Sequence, residues 1–240
     1  MDDFHRTWTV MDPEILAPVV HQQLDCCGVI SLTRHLEASM KLKNLLPRNE
    51  HLSIQDCLIK LHMLGSIDEN GTLWDLRQAS PVLTGSGLVL ERYCPLTYNL
   101  YERRSTWLVN EYSALRMNVH DDFGETFPPQ FMDMMVSNEL DNGPFAATVL
   151  WFPSYNQAGN NEILRPTYDE WAAHLDDPEA SDIPGHSMLL TGEGRQNGVR
   201  FLEFQDSYGV GVGVDGYVKL YGGNNNGDGF PIVEYVTFEF

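Results

Sequence analysis

Basic residues are scarce in this chain. Its 240 residues include 15 Lys and Arg against 34 Asp and Glu, which gives a formal net charge of −19. Phosphate backbones bind to concentrated basic surfaces, so we expect no nucleic acid among the partners. No apolar run reaches the roughly 20 residues that a membrane-spanning helix needs, so we expect no membrane partner either.

The N-terminal residues lack the apolar stretch of a secretory leader. The chain is therefore either intracellular or has lost a leader, and its localisation stays open. Hydrophobic residues nevertheless make up 42% of the sequence, which is enough to bury a core and to exclude general disorder. The length suits one large domain or two closely packed lobes.

Cysteine is scarce as well, and the chain contains only Cys26, Cys27, Cys57 and Cys94. Four cysteines in 240 residues are too few for a disulfide scaffold. They show no C-x-x-C spacing and have no matching His pair, so the sequence predicts no structural zinc site. The thiols are therefore either ordinary buried side chains or include one reactive group.

Hydrophobic periodicity divides the chain into a helical part and a β-rich part. Apolar residues at three- and four-residue steps predict a helix over 27–42, a second helix from the N-cap Ser53, and a short third helix over 74–83 that Pro81 ends. Strands are predicted over 145–152, 187–191, 198–204, 217–220 and 232–240. This order indicates an α+β protein whose single domain, 1–240, has a helical lobe over about 15–115 and a β lobe over about 116–240.

Three distant positions together suggest nucleophilic chemistry at a thiol. Cys27 opens the first helix, where free N–H groups and the helix dipole favour a thiolate. His186 lies at the entrance to a strand, from which its ring can reach a cleft and pair with that thiolate. Asp206 ends a strand and can orient the imidazole by accepting a hydrogen bond. Taken singly, each is more often a structural residue, and Cys26 is a competing nucleophile.

Six segments, in this order along the chain, resemble motifs of the papain-like cysteine peptidases: residues 18–31, 52–56, 93–95, 142–145, 185–194 and 206–220. The last of them carries every glycine of the family's N-S-W-G-x-x-W-G-x-x-G-Y motif. The resemblance covers essentially the whole chain. Each motif alone is weak, but their common order makes coincidence improbable, and the chain is identified as a divergent member of this family.

The resemblance implies a fold, a site and an activity. The fold would have an N-terminal helical lobe, a C-terminal antiparallel β-barrel-like lobe, and an active-site cleft between them. Cys27 would be the nucleophile, His186 its partner, Asp206 the orienting residue, and Gln22 a side-chain donor to the oxyanion. The protein would be a monomeric peptidase that acts on peptides or proteins, without metal or organic cofactor. Family members are mostly lysosomal, vacuolar or extracellular.

The chain also departs from the family pattern. Asp206 replaces an Asn, Tyr208 replaces a Trp that shields this residue, and residues 25–28 form a shorter loop without the usual aromatic. The alternative function is therefore a catalytically impaired relative that binds peptides or proteins in the same cleft. An acidic segment, 176–182, precedes His186 and would favour basic substrates if it rims the cleft.

Overall fold

The computed structural model describes residues 3–102, 109–121, 129–157, 162–176, 184–223 and 232–240, with side chains excluded at 129–133, 157 and 174–176. The helices are α1 (Trp8–Met11), α2 (Cys27–Leu42), α3 (Ile54–Met63), α4 (Pro129–Asn142) and α5 (Tyr168–Asp176). The strands are β1 (Phe4–Thr7), β2 (Arg116–His120), β3 (Phe145–Leu150), β4 (Ile163–Leu164), β5 (Gly185–Gln196), β6 (Val199–Gln205), β7 (Tyr217–Tyr221) and β8 (Ile232–Glu239). Short 3₁₀ or π turns cover Pro13–Ile15, Leu76–Ala79, Val82–Ser86, Glu91–Tyr93 and Pro153–Gln157. None of the described helices is long and apolar enough to cross a bilayer.

Helix α2 is the central element of the helical part. It begins at Cys27, as the sequence predicts, and its apolar residues Leu32, Leu36 and Met40 are buried in the core. It packs against α3 on one side and against β3 and β5 of the sheet on the other. Its first turn is therefore held at the junction between the helices and the sheet.

A buried cluster of charges fixes the middle of α2. The Glu37 carboxylate, which is fully buried, accepts hydrogen bonds from Lys41 (2.7 Å), His51 (2.8 Å), the Leu52 backbone N–H (2.9 Å) and Arg34 (3.2 Å). Burial would raise the pKa of Glu37, but the hydrogen bond from His51 and the charges of Arg34 and Lys41 hold it below its usual value. Glu37 therefore joins α2 to the segment that leads into α3.

The eight strands found among the described residues belong to one sheet. Its order is β2-β8-β3-β5-β6-β7-β4, and β1 pairs with the later part of β5. The pairs are antiparallel except for β4 with β7, which is parallel. Within the described ranges β2 and β4 do not pair with each other, so the sheet is open and the barrel-like lobe is not closed.

The sheet register positions two residues of interest. In the pairing of β3 with β5, Val149 lies opposite His186, at the beginning of β5. In the pairing of β5 with β6, Leu189 lies opposite Gln205, the last residue of β6. Because β5 and β6 are antiparallel, His186 and Asp206 lie at the same end of the sheet.

Buried hydrophobic residues form two large clusters. One surrounds α2 and α3, and the other lies among β3, β5, β6 and β7. Neighbouring residues of β8 contribute to different clusters, Val236 to the first and Tyr235 to the second, because successive side chains of a strand point to opposite faces. The lobe boundary near residue 115 stays a prediction.

The predicted third helix differs from the structure. Residues 74–83 were expected to form one helix ended by Pro81, whereas the chain forms a 3₁₀ helix over Leu76–Ala79 and a π-helix over Val82–Ser86. Pro81 directly precedes the second helix, where a missing N–H breaks no intrahelical bond. Residues 80 and 81 are themselves helical, so the helical run is continuous over 76–86 and Pro81 does not end it. Strands β1, β2 and β4 and helices α1 and α4 were not predicted from the sequence.

We predict that Glu37→Ala lowers the free energy of unfolding by about 3 to 5 kcal/mol, because it leaves Lys41 and Arg34 as buried cations without their carboxylate. Urea unfolding measures the effect. The control Glu69→Ala removes an exposed carboxylate and is expected to change stability by no more than about 0.5 kcal/mol. Equal losses in the two variants would contradict the role assigned to Glu37.

Candidate active site

The Cys27 thiol lies at the start of α2. Cys26 occupies the N-cap position but makes no side-chain capping hydrogen bond, and its own side chain is buried in the core. Cys27 is half-buried and lines an open cleft. The two adjacent cysteines therefore point in different directions: Cys26 points into the core and Cys27 toward the cleft. Cys27 and not Cys26 is thus placed to act as the nucleophile.

His186 contacts the Cys27 sulfur from the opposite wall of the cleft. The two side chains are hydrogen bonded, and the Ser187 backbone also hydrogen bonds to the thiol. Although burial works to raise it, these bonds and the charge of His186 lower the pKa of Cys27 below its usual value of 9.0. The pair therefore favours a thiolate next to an imidazolium.

Asp206 holds the far side of the His186 ring. Its Oδ1 lies 2.9 Å from His186 Nε2, which leaves Nδ1 as the ring nitrogen available to Cys27. Burial would lower the pKa of His186, but the hydrogen bonds with Asp206 and Cys27 raise it to about 9. The imidazolium is thus stabilised from both sides.

Gln22 is fixed beside the same site. Its backbone N–H donates to the Ser207 carbonyl (2.7 Å), and its side-chain Oε1 accepts from the Ser207 hydroxyl (2.6 Å). Because Oε1 is engaged, the amide nitrogen is the end of the side chain that remains for the cleft, which Gln22 lines together with Cys27. The structure thus brings all four sequence-predicted residues, Cys27, His186, Asp206 and Gln22, into one site.

Aromatic side chains enclose the His186 ring, which is only 3% exposed. The Trp151 ring meets it edge to face at 4.4 Å between centroids, and the Tyr208 ring stacks on it at 5.2 Å. Tyr155 donates a hydrogen bond from its hydroxyl to Asp206 Oδ2 at 3.0 Å. These rings exclude water from the histidine and the acid, although the family's Trp is replaced by Tyr208.

Three contributors to this site were not predicted from the sequence: Trp151, Tyr155 and Ser207. Trp151 lies within the predicted strand 145–152 and Tyr155 follows it, but neither was assigned a role. Their contacts depend on the pairing of β3 with β5, which periodicity alone does not give. Ser207 was part of a quoted motif, but its bond to Gln22 joins residues 185 positions apart.

The cleft has a volume of about 600 Å³. Its described lining contains no Lys or Arg, whereas the carboxylates of Asp25 and Glu234 both face it. Glu234 accepts a hydrogen bond from Thr148 (3.0 Å), and burial raises its pKa. Trp74, 80% exposed, stands at the rim. Of the acidic segment 176–182, residues 177–182 lie outside the described residues, so its position relative to the cleft stays a prediction.

In the part of the chain that the structure describes, no group of three or more His, Cys, Asp and Glu side chains could hold a metal ion. All four cysteines there are free thiols.

Comparison with solved structures places this geometry in a known fold. Procathepsin B S9 from Trypanosoma congolense is similar with a TM-score of 0.70 and 13% identity, and the match covers 100% of this chain and 77% of that one. Digestive procathepsin L 3 from the larval midgut of Tenebrio molitor has a TM-score of 0.70 and 16% identity, with coverage of 98% of this chain and 69% of that one. The bromelain protease from Ananas comosus in complex with the E64 inhibitor has a TM-score of 0.70 and 15% identity, with coverage of 98% of both chains. The chain has the papain-like fold.

The papain-like α+β fold predicted from the motifs is thereby confirmed, over the whole length of the chain. No protein-family model and no curated protein sequence matches this chain. The likeness therefore lies in the three-dimensional fold, at sequence identities too low to transfer an activity.

We predict that iodoacetamide labels Cys27 selectively at about pH 6. Its pKa is lowered, whereas burial raises the pKa of both Cys26 and Cys57 to about 12 and Cys94 is buried. Peptide mapping by mass spectrometry identifies the labelled residue. His186→Ala is expected to slow labelling at least about tenfold, since it removes the partner that stabilises the thiolate.

Cys26→Ala is the matched control, because it removes the adjacent thiol and leaves the pair intact. It is expected to preserve the labelling rate. A Cys27 that reacts no faster than free cysteine at this pH would contradict the thiolate pairing.

Proposed function

We propose that the protein is a cysteine peptidase that hydrolyses peptide bonds through a thioester on Cys27. The observation that carries the proposal is the hydrogen-bonded series Cys27–His186–Asp206 at the wall of an open cleft. A thiol of lowered pKa beside an imidazole of raised pKa is the arrangement that thiol-based acyl transfer requires. The names of the similar structures, which include proteases, support the same chemistry.

In the proposed reaction the Cys27 thiolate attacks the carbonyl carbon of the scissile peptide bond. The oxyanion that forms accepts hydrogen bonds from the Gln22 side-chain amide and the Cys27 backbone N–H. His186 then gives its proton to the leaving nitrogen, the C–N bond breaks, and the amine product departs while the acyl group remains on the sulfur.

Hydrolysis of the thioester completes the cycle. The neutral His186 accepts a proton from a water molecule as the water oxygen attacks the thioester carbonyl. The C–S bond breaks, the carboxylic acid product leaves, and the Cys27 thiolate and the His186 imidazolium are restored.

Asp206 has a specific effect in this scheme. Compared with the family's amide, its negative charge stabilises the imidazolium form of His186 and raises the pKa of that ring. The ion pair therefore persists to higher pH, up to the region of the His186 pKa at about 9, and is lost as pH rises through it. A carboxylate in this position is compatible with catalysis, as Ser-His-Asp triads demonstrate.

We predict that Gln22→Ala lowers kcat for hydrolysis of a fluorogenic peptide by about 10² to 10³-fold, because it removes one of the two oxyanion donors. Cys27→Ala is expected to abolish turnover. The matched control is Gln23→Ala, which truncates the adjacent, exposed amide and is expected to leave kcat unchanged.

Peptides of varied sequence should be screened with wild-type protein and with Cys27→Ala. Turnover that survives in Cys27→Ala would contradict the proposal. Peptide binding without turnover in the wild type would favour the alternative function, a non-catalytic binding module that uses the same cleft.

We further predict that the enzyme prefers cationic substrates, because the cleft presents the carboxylates of Asp25 and Glu234 without a Lys or Arg among its described lining residues. Glu234→Gln is expected to reduce the kcat/KM ratio of an Arg-containing peptide to its Glu-containing analogue by about tenfold, which corresponds to about 1.4 kcal/mol.

Glu239→Gln is the control for charge alone, since it neutralises an exposed carboxylate at the other end of β8, outside the cleft. It is expected to leave the ratio unchanged. An equal change in both variants would mean that overall charge, and not the cleft, determines the preference.

A further inference from the structure

We infer that Tyr155 is a positioning residue for the Cys27–His186 pair, because its hydroxyl supplies the hydrogen bond that the second oxygen of Asp206 requires. This inference rests on the proposed chemistry of the site, and it adds a residue to which neither the motifs nor the fold assigns a role. Tyr155 acts through Asp206, and it is not among the described residues that line the cleft.

The hydrogen bonds of Asp206 show why a further donor is needed. The side chain is fully buried. Oδ1 accepts from His186 Nε2 at 2.9 Å and from the Ser207 backbone N–H at 2.6 Å. Oδ2 accepts from the Tyr155 hydroxyl at 3.0 Å. A buried carboxylate oxygen without a donor carries a large free-energy penalty, so the phenol completes the set.

The need for this donor follows from the residue type at position 206. The family pattern has an asparagine at this position. Its NH₂ group would lie beside the phenol and would require a partner that accepts a hydrogen bond. A carboxylate has only acceptor oxygens and requires a partner that donates. The hydroxyl of Tyr155 can serve in either direction, and Asp206 fixes it as the donor.

Tyr155 is held rigidly in place for this task. It lies in the 3₁₀ helix Pro153–Gln157, directly after β3, and is only 2% exposed. Its backbone N–H donates to the Phe152 carbonyl (2.9 Å), and its ring packs on Trp151 at 4.1 Å between centroids. The hydroxyl also lies 3.2 Å from Met188 Sδ, but the charged carboxylate is the stronger acceptor.

The phenol stays neutral in this environment and so keeps the proton that it donates. Burial and the adjacent charge of Asp206 raise the pKa of Tyr155 well above 10. The hydroxyl therefore remains a donor over the whole pH range in which the thiolate–imidazolium pair exists.

Other titratable groups also surround the pair. Tyr208 stacks on His186, and Asp25 and Glu234 face the cleft. On the opposite side of Asp206, Arg34 of α2 lines a small cavity that Asp206 also lines. All of these groups are present in each variant below, so differences between the variants isolate the Tyr155 hydroxyl.

The experiment measures the rate at which iodoacetamide labels Cys27 as a function of pH. On the acidic side of this profile the rate rises with pH as the thiolate forms, and this rise is the acid limb. Tyr155→Phe is expected to move the acid limb upward by about one pH unit. Without the phenol, the Asp206 carboxylate can turn away from His186, which weakens the hydrogen bond that stabilises the imidazolium and so disfavours the Cys27 thiolate. Tyr217→Phe is the control, because it removes a half-buried hydroxyl that accepts from Gln205 (3.0 Å).

A double-mutant cycle distinguishes the hydrogen bond from ring packing. In an Asp206→Asn background the hydroxyl accepts from a neutral NH₂ group and orients no charged group, so adding Tyr155→Phe is expected to shift the limb by much less than in the wild type. Ring packing alone would give equal shifts in both backgrounds and would overturn the inference. No shift in Tyr155→Phe, or a shift as large in Tyr217→Phe, would also overturn it.

A second substitution keeps the ring and hydroxyl and so avoids a folding defect. Incorporating 3-fluorotyrosine at position 155 makes the phenol a more acidic donor, and it is expected to move the acid limb in the opposite direction, to lower pH. A limb that stays in place or moves upward would contradict the inference. Because labelling requires no substrate, a protein that failed to hydrolyse peptides would refute the proposed function without affecting this result.

Discussion

The arrangement of the protein depends on one interaction, the hydrogen bond between the half-buried Cys27 and the buried His186. Burial acts against the charge on both groups, raising the pKa of the thiol and lowering that of the imidazole. Their mutual attraction, together with Asp206, outweighs this cost. Because that attraction falls with distance, the site requires α2, β5 and the end of β6 to be fixed relative to one another.

The surrounding structure meets this requirement through contacts between distant segments. Glu37 ties the middle of α2 to the segment before α3, and the packing of α2 on β3 and β5 fixes the helix start. Trp151, Tyr155 and Tyr208 close over His186, so that the charges are shielded by rings instead of water. An aspartate in the site is thus accommodated by a hydroxyl donor from a different segment.

Much of the fold was predictable because the signals that define it are local. The periodicity of α2, the N-cap Ser53 of α3 and the apolar run of β3 each occur within a short stretch of sequence, and the structure contains all three elements. The strand β1 was not predictable in this way, because it is defined by its pairing with β5, almost the whole chain away. The open sheet is likewise a property of the pairing pattern.

The sequence by itself determined which chemical groups the site contains: a thiol at a helix start, an imidazole at a strand start, an acid at a strand end and a glutamine before the helix. Helix and strand ends are encoded locally, so these placements could be predicted residue by residue. Only the tertiary structure decided that Tyr155 bonds to Asp206, that Ser207 holds Gln22 and that Trp151 covers His186. These contacts depend on strand register and on side chains from separate segments, which no local pattern specifies.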